Sequence, residues 1–425
     1  MEPLRAVKGM NDLLPAEAGR FQAVEAAMRR AFGLAGYGEV RTPVVEEAAL
    51  FSRSIGEETD VVGKEMYVFP DRHGKSLALR PEGTAGAVRA YVEHGVGGQD
   101  PLVRWWYAGP MFRHERPQKG RYRQFHQLGA ELFGAAAPEA DAELVGLVHE
   151  LLRRLGLRDV VLQLNSIGDD ACRPVYTRSL QEYLRAHAAE LCEDCRRRTE
   201  KNPLRTLDCK VPGCRAVLAG APSVQASLCE ACRGHFEAVC GHLSALGVPF
   251  ETNDRLVRGL DYYTRTTFEF LAKGELGSQN TVAAGGRYDK LVEQLGGGAV
   301  PAVGFAAGIE RLVLALGPPA DAAPGPELFV VPLGEPAKRA ALGIAQAARR
   351  TGLATEIDVR GGSVKSQLRR ADRAGAAFVV VLGDQELASG RVKLKQMGTR
   401  GKGRPGDEAE VALSELSSSV RAALG

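Results

Sequence analysis

The chain has 425 residues, of which 44% are hydrophobic and 25% charged, with a net charge of +3. These values are ordinary for a soluble globular protein of two or three domains. No run approaches the roughly 18 uninterrupted apolar residues of a membrane span, since the longest candidate, near 299–316, is broken by Glu310 and Arg311. The opening MEPLRAVKGMNDLLP has no apolar core of a secretory signal. A cytoplasmic protein is therefore expected, with its eight cysteines as reduced thiols or metal ligands.

In chain order, Phe21, Val24, Met28, Ala31 and Ala35 recur at steps of three and four, which predicts a helix over 16–35. Gly36-Tyr37-Gly38 ends it, and Glu39–Pro43 reads as a short strand. Residues 105–134 read as two strands joined by a short basic loop, with Arg113 ending the first. Leu144, Val148, Leu151 and Leu155 predict a helix over 141–155, and Val160–Leu164 a strand. Residues 170–247 are helix-prone and hold all eight cysteines. Strands resume at Val248–Thr252, Thr266–Leu271 and about Ala302–Phe305, with a helix from Gly308 to Leu316.

Residues 317–326, GPPADAAPGP, read as a linker. Beyond it strand and helix alternate: ELFVVPL, a helix at 336–351, LATEIDV, a helix at 363–374 and AFVVVLG. That order predicts a small α/β domain with a largely parallel sheet. Residues 360–404 hold 11 Lys/Arg against 3 Asp/Glu, an excess that suits either a polyanionic partner or a solvated face. The expected division is 1–169 with 248–316 as one sheet domain, 170–247 as an insertion and 327–425 as a separate domain.

The most informative stretch is WWYAGPMFRHERPQKGRYRQFHQLGAELFG, from Trp105 to Gly134. Alternate side chains of a strand share a face, so Phe125, Gln127 and Glu131 point one way, with Gly129 between them. His126, Leu128, Ala130 and Leu132 point the other way, toward a core. The first face offers an aromatic platform, an amide, a gap and a carboxylate. Glu131, between Ala130 and Leu132, needs a partner there. The six Lys/Arg between Arg104 and Glu131 suit a phosphate-bearing ligand, or else surface salt bridges.

GPMFRHERPQKGRYRQFHQ resembles the second signature motif of class II aminoacyl-tRNA synthetases, in the form found in the histidyl-tRNA synthetase family. Further segments follow in the family's order. GYGEVRTP (36–43) resembles the first motif, whose role is the dimer interface. LRPEGTAG (79–86) resembles the amino-acid-binding loop, RGLDYYT (258–264) the histidine-specific loop, and GFAAGIERLVLAL (304–316) the third motif. The resemblance implies an α+β catalytic domain with an antiparallel sheet flanked by helices, and a C-terminal anticodon-binding α/β domain. It implies a homodimer that uses histidine, ATP with Mg2+, and tRNA(His).

It also implies residue roles. Arg113 and Arg258 would grip the α-phosphate from opposite sides, the always-charged contacts that a phosphoryl centre needs. Phe125 and Arg311 would sandwich adenine, with Glu115 and Arg121 also at ATP. Glu82, Thr84 and Gln127 would hold the backbone end of histidine. Imidazole needs one acceptor and one donor, which Glu131 and the Tyr263 hydroxyl can supply. Tyr262 and Tyr288 are either pocket residues or core aromatics. Arg116 and Gln118 would meet the tRNA acceptor end.

The cysteines form Cys192-x2-Cys195, Cys209-x4-Cys214 and Cys229-x2-Cys232. Two CxxC pairs point to structural zinc on Cys192, Cys195, Cys229 and Cys232, with Cys209 and Cys214 competing as the second pair. The family fold does not require this metal, and small buried thiols are the alternative. Two functional alternatives stand beside the ligase. One is a non-catalytic relative similar to the regulatory subunit of ATP phosphoribosyltransferase, which generally lacks the anticodon domain and intact motifs. The other is a class II synthetase for proline or threonine, against which RGLDYYT, Gln127 and Glu131 argue.

Overall fold

The computed structural model describes residues 3–56, 59–274, 280–318 and 325–425. The chain divides into two compact units, Met1–Pro319 and Ala320–Gly425. Of the expected linker, residues 319–324 lie outside the described residues.

The first unit is built on an eight-stranded sheet. Its strands run in the order Gly38–Glu39, Val103–Phe112, Gln124–Phe133, Ala302–Gly308, Thr281–Arg287, Thr264–Ala272, Val160–Ser166 and Glu251–Thr252. The six inner strands are antiparallel to their neighbours, and the two short outer strands pair parallel. One face is covered by the helices Pro15–Leu34 and Pro138–Arg154, whose Phe21, Val24, Met28, Leu144 and Val148 pack on Leu128, Ala130 and Leu132. The opposite face carries the candidate site.

A fully buried ion pair ties this sheet to two helices. Arg287 bonds both carboxylate oxygens of Asp141, with His235 Nε2 3.5 Å from Asp141. Arg287 also donates to the Ala135 carbonyl at 2.8 Å. Deleting one partner of such a pair costs about 3–5 kcal/mol, because the other charge stays buried.

Several elements differ from expectation. The strand expected over Glu39–Pro43 is confined to Gly38–Glu39, and that at Val248–Thr252 to Glu251–Thr252. Thr281–Arg287 is a central strand with no β-branched run, because TVAAGGR must pass close under its neighbours. A three-stranded sheet of Val45–Glu47, Ser76–Leu79 and Tyr67–Pro70 was not foreseen. In the second unit Thr355–Ile357, Leu328–Pro332 and Phe378–Leu382 are parallel, as expected. Two further strands, Arg391–Gln396 and Glu408–Ala412, add antiparallel pairs.

Residues between Val160–Ser166 and Glu251–Thr252 form helices, including Arg173–Ala186, Glu193–Lys201, Pro212–Leu218 and Glu230–Ala245. They enclose a small core of Tyr176, Leu180, Leu184, Cys195, Cys214 and Leu218.

Candidate active site

The strands Val103–Phe112 and Gln124–Phe133 pair over ten residues, from Val103 opposite Phe133 to Phe112 opposite Gln124. Arg113 N–H donates to the Arg123 carbonyl at 2.9 Å and extends the ladder into the basic loop. The loop tip is itself a tight turn, in which Gln118 and Arg121 exchange backbone bonds of 3.0 and 2.9 Å. Gly120 there has φ +74°, a conformation that suits glycine. Arg311 Nε donates to the Gly120 carbonyl at 3.2 Å and tethers the turn to the sheet.

Below this loop lies a cavity of about 470 Å³. Its wall includes Glu82, Thr84, Arg113, Glu115, Arg121, Phe125, Gln127, Arg258, Tyr262, Tyr263, Tyr288 and Arg311. Twelve expected residues from five separated segments thus meet in one space. Arg116 and Gln118 are exposed on the loop outside that wall, and Glu131 is also outside it.

Glu131 keeps the strand face that alternation predicts, but its carboxylate is buried one layer beneath the wall. The Tyr107 hydroxyl donates to Glu131 Oε1 at 3.0 Å, and the Tyr288 hydroxyl donates to Oε2. Burial pushes Glu131 up from the usual 4.5 to about 8, against the pull of the Tyr288 hydrogen bond. The floor over it is thin. A Cβ on Gly304 would fall 1.7 Å from Glu131 Oε2, and one on Gly129 would fall 2.5 Å from the Tyr107 hydroxyl.

At one end of the cavity, Glu82 caps the helix Thr84–Glu93. Its two oxygens accept from Thr84 N and Ala85 N, each at 2.7 Å. Burial raises the Glu82 carboxyl, while these two amides pull it down. The Tyr262 and Tyr263 rings meet tilted at 46° with centres 4.6 Å apart, and Tyr262 meets Tyr288 edge-on at 5.6 Å. Burial raises all three hydroxyls, so they remain neutral donors.

Cations gather at the other end. Arg113 Nε donates to the Pro81 carbonyl at 2.9 Å, and its guanidinium lies 5.3 Å from the centre of the Phe125 ring. Glu115 sits between Arg113 and Arg121, 3.9 Å from the first and 3.0 Å from the second. Arg258 pairs with Glu269, which also accepts from the Thr281 hydroxyl at 3.0 Å. The buried polar atoms here without a hydrogen-bond partner among the described residues include Gln127 Oε1, an acceptor, and Arg258 Nε, a donor. Unpaired buried groups are costly, and a polar ligand in the cavity would satisfy both.

Sequence reasoning missed Glu269, Tyr107, Thr281 and Glu310, as well as Arg205, Asp208 and Lys210 from the insertion. All of these except Tyr107 line the cavity. Glu269 had a readable signal, a carboxylate inside the apolar strand FEF.

The first choice of zinc ligands requires correction, and the competing pair, Cys209 and Cys214, takes its place beside Cys192 and Cys195. Cys192 and Cys195 do not meet Cys229 and Cys232. One cluster joins Cys192, Cys195, Cys209 and Cys214; a second joins Asp169, Cys172, Cys229 and Cys232. The reason is local. Cys192 and Cys229 each precede a helix start, so each CxxC aims its own two thiols at one point. The chain between decides what completes each set.

Among the described residues, no helix is long and apolar enough to cross a membrane. The family model described as histidyl-tRNA synthetase matches residues 9–312, and that described as an anticodon binding domain matches 327–422. A histidine–tRNA ligase from Anaeromyxobacter dehalogenans is 53% identical over 98% of this chain and 99% of the relative. Another from Geobacter metallireducens is 50% identical over 93% and 95%. The crystal structure of apo histidyl-tRNA synthetase from S. aureus superposes with a TM-score of 0.82 at 34% identity, covering 99% of this chain and 100% of that one. An ATP phosphoribosyltransferase regulatory subunit/histidyl-tRNA synthetase from Bacillus halodurans shares the fold at 22% identity and a TM-score of 0.66. The chain belongs to the histidyl-tRNA synthetase family of the bacterial type, and is an ATP-dependent ligase of the aminoacyl-tRNA synthetase class.

Proposed function

We propose that the cavity joins histidine to ATP and then passes the histidyl group to the 3′ end of tRNA(His), with the following division of labour. Glu82, Thr84 and Gln127 hold the α-ammonium end of histidine. Tyr263 and the layer formed by Tyr288 over Glu131 read its imidazole. ATP enters as its magnesium complex, with adenine between Phe125 and Arg311 and with Glu115 and Arg121 beside the triphosphate. Arg113 and Arg258 grip the α-phosphate and stabilise the charge that builds as the histidine carboxylate oxygen attacks phosphorus and pyrophosphate leaves. In the second step the terminal ribose hydroxyl attacks the carbonyl carbon and AMP departs. The hydroxyl proton passes to a phosphate oxygen of the adenylate, since no side chain stands out as base.

The observation that carries this reading is that Gln127 Oε1 and Arg258 Nε, one acceptor and one donor, are buried and unpartnered in the same cavity as Arg113. Histidine brings an ammonium for the first and a carboxylate for the second. The test is histidine-dependent exchange of labelled pyrophosphate into ATP. Exchange that ignores histidine, or that proline or threonine supports equally, would overturn it.

Arg116 and Gln118, on the exposed loop, meet the tRNA acceptor end, and residues 327–425 hold the anticodon. Removing residues 326–425 should weaken aminoacylation more than pyrophosphate exchange; equal losses would refute the anticodon role. The enzyme works in the cytoplasm as a homodimer through the 36–43 segment. Residues 170–247 form an insertion in the catalytic domain, and its cysteines bind structural zinc.

A further inference from the structure

We propose that the chain carries two separate zinc sites, one of four cysteines and one of three cysteines with an aspartate, and that together they fasten the histidine-specific loop from both sides. The function of that loop rests on the reading above; the metal assignment does not.

The geometry of both clusters fits a tetrahedral ion. In each set the four ligand atoms lie within 4.8 Å of one another. Zinc with four bonds of about 2.3 Å places its sulfurs about 3.8 Å apart. Cys192 Sγ and Cys209 Sγ are 4.0 Å apart. The Cys192 backbone N–H also points at Cys214 Sγ, 3.1 Å away, an arrangement that stabilises a thiolate. In the second set Cys172 Sγ lies 3.7 Å from Asp169 Oδ1. All these cysteines are free thiols, and in each set two of them are fully or nearly fully buried.

Each cluster is tied to the loop Arg258–Tyr263. From the four-cysteine side, Arg205 Nη1 donates to the Arg258 carbonyl at 3.0 Å, and Asn202 Nδ2 donates to Asp261 Oδ1 at 3.0 Å. Arg205, Asp208 and Lys210, which flank Cys209, line the cavity itself. From the other side, Arg173 follows Cys172 directly and donates to the Tyr263 carbonyl at 2.7 Å. Asp169 presents Oδ1 to the cluster and Oδ2 to Arg265, at 3.2 Å. Arg265 is the non-glycine residue with positive φ, +48°, among those described. Left-handed backbone at such a residue is strained and persists only where its surroundings enforce it. Arg265 lies where the strand Thr264–Ala272 loses register with Thr281–Arg287, just after Tyr263. A metal on Oδ1 would fix the carboxylate whose other oxygen holds this bulge. Asp169 is therefore a positioning residue for Tyr262 and Tyr263.

The experiment measures zinc in the purified full-length protein by mass spectrometry, for wild type and for two double variants, C209S/C214S and C229S/C232S. The expected result is two zinc ions per chain in wild type and one in each variant. One ion or fewer in wild type, iron in place of zinc, or two ions retained in either variant would overturn the assignment. Should a variant fail to fold, metal-stripped wild type titrated with Co2+ decides instead. Two equivalents with tetrahedral absorption bands support two sites, and saturation at one refutes them. For positioning, Asp169→Asn should raise KM for histidine in pyrophosphate exchange about tenfold while leaving KM for ATP unchanged. Equal changes in both would refute the link to the loop. A wild type that shows no exchange but binds two zinc ions would count against the synthetase reading alone.

Discussion

Two carboxylates rise from the same sheet into opposite fates. Glu131 and Glu269 each sit inside an apolar strand, in AELF and FEFL. Among the described residues Glu131 meets two tyrosine hydroxyls and no cation, and burial pushes it up to about 8. Glu269 meets the Arg258 guanidinium and the Thr281 hydroxyl, an arrangement that holds a cation in place. The neighbours therefore decide which end of the cavity is neutral and directional and which is charged. The neutral end suits imidazole, and the charged end suits a triphosphate.

The sharpest way to break this contrast is to remove the cation. Arg258→Ala should lower histidine-dependent pyrophosphate exchange by about 10³-fold with the fold intact by circular dichroism. Near-normal exchange would remove Arg258 from the chemistry. Next comes Glu269→Gln, which leaves Arg258 charged but loosely held. Exchange should fall about 10²-fold, mostly in kcat, because the misplaced contact acts in the transition state. No change would make Glu269 purely structural.

Glu131→Gln should have the smallest effect on rate and the clearest effect on pH. The folded protein holds the Glu131 proton up to about pH 8, while the unfolded chain releases it near 4.5. Its contribution to stability is therefore full below about pH 4.5 and is lost as pH rises through about 8. Glutamine cannot titrate. Thermal melting of the variant should lose less stability than wild type across that window, and parallel curves would show that Glu131 is ionised throughout.

The same two residues show how far a sequence can be read. Alternation placed Glu131 on the correct face but could not say what covers it, because Tyr107 comes from the partner strand and Tyr288 from a turn 157 residues away. The hairpin itself was legible, since aromatic and apolar residues alternate around a glycine-bearing loop. The strand Thr281–Arg287 was not, because its alanines and glycines carry little β preference and are there to allow close approach. Helix periods were legible along Pro15–Leu34 and Pro138–Arg154. The pairing of the cysteines was hidden for a different reason. The CxxC signal is local, but the fourth ligand of the second cluster, Asp169, is not a cysteine and lies outside that pattern.

The bare floor beneath the cavity has a consequence for how such an enzyme can change. Gly304 and Gly129 leave no room for even a methyl group against Glu131 and Tyr107. Enlarging either would evict the layer proposed to read the imidazole instead of reshaping it, so these positions are closed to gradual redesign. A new amino-acid preference would have to come through the loop Arg258–Tyr263, where side chains, and not bare backbone, line the cavity. Selection for altered specificity, run by random mutagenesis, should collect its changes there and leave the two glycines untouched.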